Sequence, residues 1–259
     1  TQGYSSAASD VYKRQVFIAL QGSQNYGLDM YNEEYKSDID TKAIVLPSFE
    51  DFVRNKAPIS TTLVLENNEH IDIKDIRVMF DTYKKQNINY IETLFSKYKI
   101  INVKYMNLVQ PIFDHNEEIA HININQALRC MAGMSMEKLK AMEHPYPTIK
   151  DKIEKYGYDP KQLHHIVRMN YFIQNYVSGK KYVECLVPKD NVRNFLLDIK
   201  KGKCNLESAR IIATVFDSST KKIKDENLLE KDEINQDSIE ILENVKFDIL
   251  KKRFREELK

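Results

Sequence analysis

Cysteine is scarce in this chain of 259 residues: there are three, Cys130, Cys185 and Cys204, too few and too scattered for a disulfide framework or a zinc cluster. They read as ordinary thiols of a reducing compartment, which points to the cytoplasm. Long apolar runs are missing as well. Nothing approaches the roughly 18 residues a membrane span needs, and no signal-peptide pattern opens the chain, so no membrane partner is expected. An excess of charge is also lacking: 39 Lys and Arg face 38 Asp and Glu. That balance does not advertise a nucleic-acid partner, although it leaves room for a local basic patch. There is no Trp, and the fifteen Tyr and eleven Phe read as core rather than as a base-stacking platform. Neither an internal repeat nor a low-complexity tract is present. The length allows one large domain or two modest ones.

The stretch Ser6–Gln15 reads SAASDVYKRQ. It resembles a translated sequencing adaptor, so residues 1–15 are set aside as a non-native leader. The chain does not open on Met, and a native helix or strand before Val16 is expected to be missing.

Beyond Gln15 the chain is rich in local signals. Val16–Leu20 is a short apolar run stopped by Gly22, as in a buried strand that ends in a tight turn. Ser37–Leu46 alternates and then turns apolar, predicting a second strand ended by Pro47. Thr61–Glu66 and His70–Lys74 flank Asn67-Asn68-Glu69 as a hairpin. Asp75 is placed to cap a helix over Ile76–Lys85, and Ile88–Tyr98 has helical spacing. Beyond about His115 the pattern becomes helical: Ile119–Lys140 with a break near Ala132-Gly133, then Asp159-Pro160 as a helix start running to Ser178-Gly179. Asn191–Lys201 and Leu206–Asp217 predict two shorter helices, and Lys221–Lys259 a charged one that is exposed or covers a partner.

Asp38 and Asp40 lie two apart on the predicted strand and therefore on one face. Two such carboxylates repel unless cations sit between them, and hard divalent ions prefer oxygen ligands. Asp72, between Ile71 and Ile73, would complete a three-carboxylate site if its strand neighbours the first. Upstream, Gly22 lets the backbone approach a phosphate and Ser23 adds a hydroxyl donor. A phosphate cradle followed by paired metal-binding carboxylates suits nucleotidyl transfer. His70 and Lys74 share the face of Asp72 and read as exposed, while His115 and His121 have no ligand-spaced partner.

Gly22-Ser-Gln-Asn-Tyr-Gly27, Ser37-Asp-Ile-Asp40 and Asp72 together resemble the Gly-Ser … Asp-x-Asp … Asp signature of the DNA polymerase beta nucleotidyltransferase superfamily. Within it, the chain is similar to a group of bacterial and phage nucleotidyltransferases, some associated with RNA repair. Gly157-Tyr-Asp-Pro-Lys-Gln-Leu-His-His-Ile-Val-Arg168 resembles a further element of that group, so the similarity runs from Val16 to Gly179. The resemblance implies two Mg²⁺ (or Mn²⁺) ions bridged by Asp38 and Asp40, with Asp72 holding the one that activates the acceptor. It also implies β- and γ-phosphate contacts from Gly22 and Ser23. Two departures stand out. Fourteen residues separate Ser23 from Asp38, which marks Met30–Lys36 as an inserted loop, and Gln21 replaces an apolar residue.

On the predicted helix after Pro160, Lys161, His165 and Arg168 share a face by their i, i+4, i+7 spacing, continued by Phe172. Leu163, Ile166, Val167, Ile173 and Val177 form the packed side, and His164 lies off both roles. The basic face would add charge against an NTP.

The expected fold is α+β: a small mixed sheet with flanking helices, 16–114, then an all-helical domain, 115–217, and a charged helical tail, 218–259. The active site is expected in the cleft between the first two. The expected activity is transfer of an NMP from an NTP to an acceptor hydroxyl, an RNA 3′ end by the repair-associated resemblance, with release of pyrophosphate. Protein nucleotidylation (AMPylation) of a partner, antitoxin-like, is the alternative, and a non-catalytic nucleotide-binding module the third. No RNA-binding module or basic stripe supports the RNA acceptor independently.

Overall fold

The computed structural model describes residues 14–31, 36–65 and 69–259. The 1–13 part of the expected leader, residues 32–35 of the expected loop and the hairpin residues Asn67 and Asn68 lie outside them. In chain order the first elements are β1 (Gln15–Gln21), α1 (Ser23–Tyr26), β2 (Asp40–Val45), α2 (Phe49–Val53), β3 (Ser60–Val64) and β4 (His70–Asp75). Then come α3 (Ile76–Lys84), α4 (Ile88–Phe95), β5 (Lys99–Ile101), α5 (Met106–Asp114) and α6 (Asn116–Ile119). The remainder is helical: α7 (Ile124–Ala141), α8 (Lys150–Tyr156), α9 (Pro160–Val177), α10 (Tyr182–Leu186), α11 (Asp190–Lys200), α12 (Leu206–Asn227) and α13 (Gln236–Glu257). The chain is thus mixed α+β, with one five-stranded mixed sheet and many helices. No helix among the described residues is long and apolar enough to cross a membrane.

The chain divides into two compact units. One takes the described chain up to Asn25, Asp38–Asn123 and Ile234–Lys259; the other takes the described part of Tyr26–Ser37 and Ile124–Glu233. The division is therefore not sequential. The expected tail is split: α12 runs on to Asn227 in the helical unit, and α13 returns to the sheet unit, where it packs on α5 and α3. Phe254 of α13 meets Phe49 and Phe52 at ring distances of 5.6 and 5.2 Å, and Lys84 pairs with Glu243.

In the sheet unit the strand order is β3-β4-β2-β1-β5, with β2 and β4 parallel and the other pairs antiparallel. Gln15 already belongs to β1, paired towards Val45, so the expected leader overlaps the first strand. Period-two alternation gives the sheet two unlike faces. On one, Ala43, Val45 and Ile73 are buried and Ile18, Ile59, Leu63 and Ile71 pack against them. The other carries Gln21, Asp40, Lys42, His70, Asp72 and Lys74, as the ladder register requires. Asp75 closes β4 and caps α3, its carboxylate accepting from the Arg77 N–H at 2.9 Å. The expected helix after Asn87 stops sooner than Tyr98, at Phe95, with Ser96 as the C-cap.

In the helical unit α9 is the centre, packed by α7, α10, α11 and α12. Asp159 caps it and Pro160 opens it, as the sequence predicts, and Gly179 follows at φ 73°. The expected break at Ala132-Gly133 does not occur: α7 passes through Gly133 without interruption.

A candidate site on the charged face of the sheet

β1 ends at Gln21, and Gly22 turns the chain at φ 86°, a conformation that suits glycine. The turn brings the backbone against Asp40: a Cβ on Gly22 would lie 3.9 Å from Asp40 Oδ2. The Gly22 N–H is engaged within the sheet unit. It donates to Glu92 Oε1 at 2.9 Å, from a glutamate buried in α4. Ser23, the first residue of α1, stays partly exposed.

The three expected carboxylates come to different places. β2 starts at Asp40 rather than Ser37, so Asp38 precedes the strand and does not share its face by strand periodicity. Asp38 is exposed, and its carbonyl accepts from Gln24 Nε2 at 2.7 Å. Asp40 is half-buried, and His70 Nδ1, opposite it in the parallel ladder, lies 3.4 Å from Oδ1. Asp72 is not opposite Asp40. It is opposite Lys42, two residues further along both strands, and Lys42 Nζ donates to Asp72 Oδ2 at 2.8 Å.

Two more groups complete the Asp72 cluster. Lys74 Nζ stands 3.2 Å from Asp72 Oδ1 as an ion pair, while its short hydrogen bond, 2.6 Å, goes to Ser60 Oγ. Tyr90 donates its hydroxyl to Asp72 Oδ2 at 3.2 Å, and its ring lies 4.0 Å from Lys42 Nζ. Lys42 is only 4% exposed. Burial lowers the Lys42 pKa, and the bond to Asp72 restores part of it. For Asp72 burial pushes upward, but Lys42 and Lys74 outweigh it and hold the carboxyl below its ordinary value. Burial, then the charge of Asp72, pushes the Tyr90 phenol up to about 12. Lys74, expected to be exposed, is therefore part of the cluster, whereas His70 remains substantially exposed.

Part of this face offers oxygen atoms of the kind a divalent cation takes. Asp40 offers a carboxylate beside the Gly22 turn, and its cross-strand neighbour Gln21 carries a buried Oε1 with no hydrogen-bond partner. Asp72 does not fit in the same way, since its charge is already met by two ammonium groups. Among the described residues no three His, Cys, Asp or Glu side chains are grouped to hold a metal.

The basic residues of α9 lie in the helical unit and do not form a solvated cationic face. Arg168 is 4% exposed and its guanidinium lies 4.4 Å from the centre of the Tyr26 ring. Burial holds His165 well below its ordinary pKa, and Arg168 adds to this, so the ring is neutral at pH 7. His164, assigned no role, donates its Nδ1–H to the Leu196 carbonyl at 3.1 Å and is pushed by burial down to about 3. Lys161 keeps an aqueous side, and its backbone N–H donates to the capping Asp159.

Sequence reasoning missed Lys42, Tyr90 and Glu92. For Glu92 there was a signal: it sits four residues after Ile88, on the apolar side of an amphipathic helix, where a carboxylate needs a partner. Compared with protein-family models and with curated proteins, the chain matches none.

Proposed function

We propose that the charged face of the sheet is the site of a nucleotidyltransferase that moves an NMP from an NTP to an acceptor hydroxyl, an RNA 3′ end, and releases pyrophosphate. The observation that carries this is the glycine turn after β1 laid against the carboxylate of Asp40, at the edge of a charged patch backed by an apolar sheet core. Supporting it are the Gly-Ser and Asp-x-Asp residues themselves, which the resemblance assigns to phosphate and metal.

Asp40, joined by Asp38 from the segment that precedes β2, would hold the divalent ion, which when bound offsets the charge of the triphosphate and of the leaving pyrophosphate. Glu92 fixes the turn through the Gly22 N–H, so the Ser23 hydroxyl is presented from a defined backbone. That hydroxyl is a donor this turn offers to a phosphate oxygen. In the reaction the acceptor oxygen bonds to the α-phosphorus as the bond to the β-phosphate oxygen breaks, and the hydroxyl proton passes to solvent. His70 stands against Asp40 and orients its carboxylate.

Incubation with Mg²⁺ or Mn²⁺, each labelled NTP in turn and a pool of small RNAs tests this. Wild type should label RNA, and Asp40→Asn should cut the rate at least about a hundredfold. Label on a co-expressed protein would replace the RNA acceptor with a protein hydroxyl. No label on either, with all four NTPs, would remove the enzymatic reading.

A further inference from the structure

We propose that Lys42 and Lys74 are the permanent cations at Asp72, so that the site takes one divalent ion per chain, at Asp40, and Asp72 ligates none. This rests on the nucleotidyl-transfer reading and changes the metal count it implies.

The Lys42–Asp72 contact is written into the ladder. The two residues are direct partners in the parallel β2–β4 pairing and project from the same face, so the ladder sets them side by side. Lys74 follows on that face of β4. Two ammonium groups at 2.8 and 3.2 Å already leave the cluster with an excess of one positive charge. A dication at Asp72 would bring two more into the same few ångströms, against a single carboxylate. Lys42 has nowhere to retreat, being buried with its ammonium against the Tyr90 ring. Freeing Asp72 for a metal would strand that ammonium without its counter-charge. Asp40 is different: the group beside it is a half-exposed imidazole at 3.4 Å, not a buried ammonium held in the ladder. The lysines thereby do electrostatically, without exchange, what a second ion would do.

The test is a Mn²⁺ titration of the full chain, read by the loss of the free-ion electron paramagnetic resonance signal, with a non-hydrolysable α,β-methylene NTP analogue bound. Wild type should take up one Mn²⁺ per chain, and Asp40→Asn should weaken it at least tenfold. The double variant Lys42→Met/Asp72→Leu removes the carboxylate without stranding an ammonium, and should bind Mn²⁺ within twofold of wild type. Two Mn²⁺ per wild-type chain, or tenfold weaker binding in the double variant, would overturn the inference and leave nucleotidyl transfer standing. Wild type that binds neither Mn²⁺ nor the analogue would remove the functional reading, and the inference with it.

Discussion

The β2–β4 ladder of the sheet unit and α9 of the helical unit bury ionisable side chains in opposite ways. In the sheet, Lys42 and Asp72 stay charged and answer each other across two strands. In α9, His164, His165 and Arg168 crowd along one helix with no acid beside them on it, and the histidines lose their charge instead. The difference follows from geometry. A ladder sets residues from distant parts of the chain side by side, so an opposite charge can be supplied at a fixed distance. A central helix places its own residues at i, i+4 and i+7 together, and burial then decides which form survives.

The largest expected effect comes from breaking the sheet's answer. Asp72→Asn leaves the buried Lys42 ammonium without its counter-charge and should cost about 3 kcal/mol in urea denaturation. Lys42→Met should cost less, because Lys74 and Tyr90 still meet Asp72. Lys42→Met/Asp72→Leu should recover most of the loss, as neutral packing commonly does for a buried pair. A double variant as unstable as Asp72→Asn would mean that the pair is not what the sheet depends on here.

Acid should separate the two units by pH window. The folded value of His164, about 3, lies below the ordinary 6.5, so only the unfolded chain takes up its proton between those limits. Its contribution is complete above pH 6.5 and shrinks as pH falls towards 3. At pH 5 the loss from this ring is about 2 kcal/mol, and His165 moves in the same direction. Asp72, whose value is depressed, contributes fully above the ordinary carboxylate range and loses its share only on further acidification. Amide hydrogen exchange at pH 7 and 5, corrected for intrinsic rates, should therefore show α9 losing about thirtyfold protection while β2 and β4 hold theirs. An equal fall in both would erase the contrast.

What was legible in the sequence shares a cause with what was not. Asp75 and the Asp159-Pro160 pair announced their helices because an N-cap is decided within three residues. Glycines at Gly22 and Gly179 announced turns for the same local reason. Lys42 opposite Asp72 depends on the register of two parallel strands thirty residues apart, which no local pattern sets. The start of β2 at Asp40 had the same origin, and it detached Asp38 from the expected shared face. Arg168 reads in the sequence as part of a basic face set against an NTP. That face is covered because α9 is enclosed by four other helices, a fact that only tertiary packing supplies.

The smallest effects sharpen the comparison at two glycines, both held at positive φ. In the helical unit Gly202 sits at φ 71°, and a Cβ there would come within 2.4 Å of Tyr156 Cε1 and 2.7 Å of Cζ, on a ring that cannot yield without repacking. Gly202→Ala should cost about 2 kcal/mol, combining backbone strain with overpacking. Gly22→Ala meets nothing closer than Asp40 Oδ2 at 3.9 Å, an ordinary contact. Its cost should be the conformational part alone, about 1 kcal/mol, with the Gly22–Glu92 hydrogen bond kept. Denaturation of the two variants side by side measures the difference. If Gly22→Ala were the worse of the two, the turn beside Asp40 would be as tightly enclosed as the interior of the helical unit, and a triphosphate could not approach it.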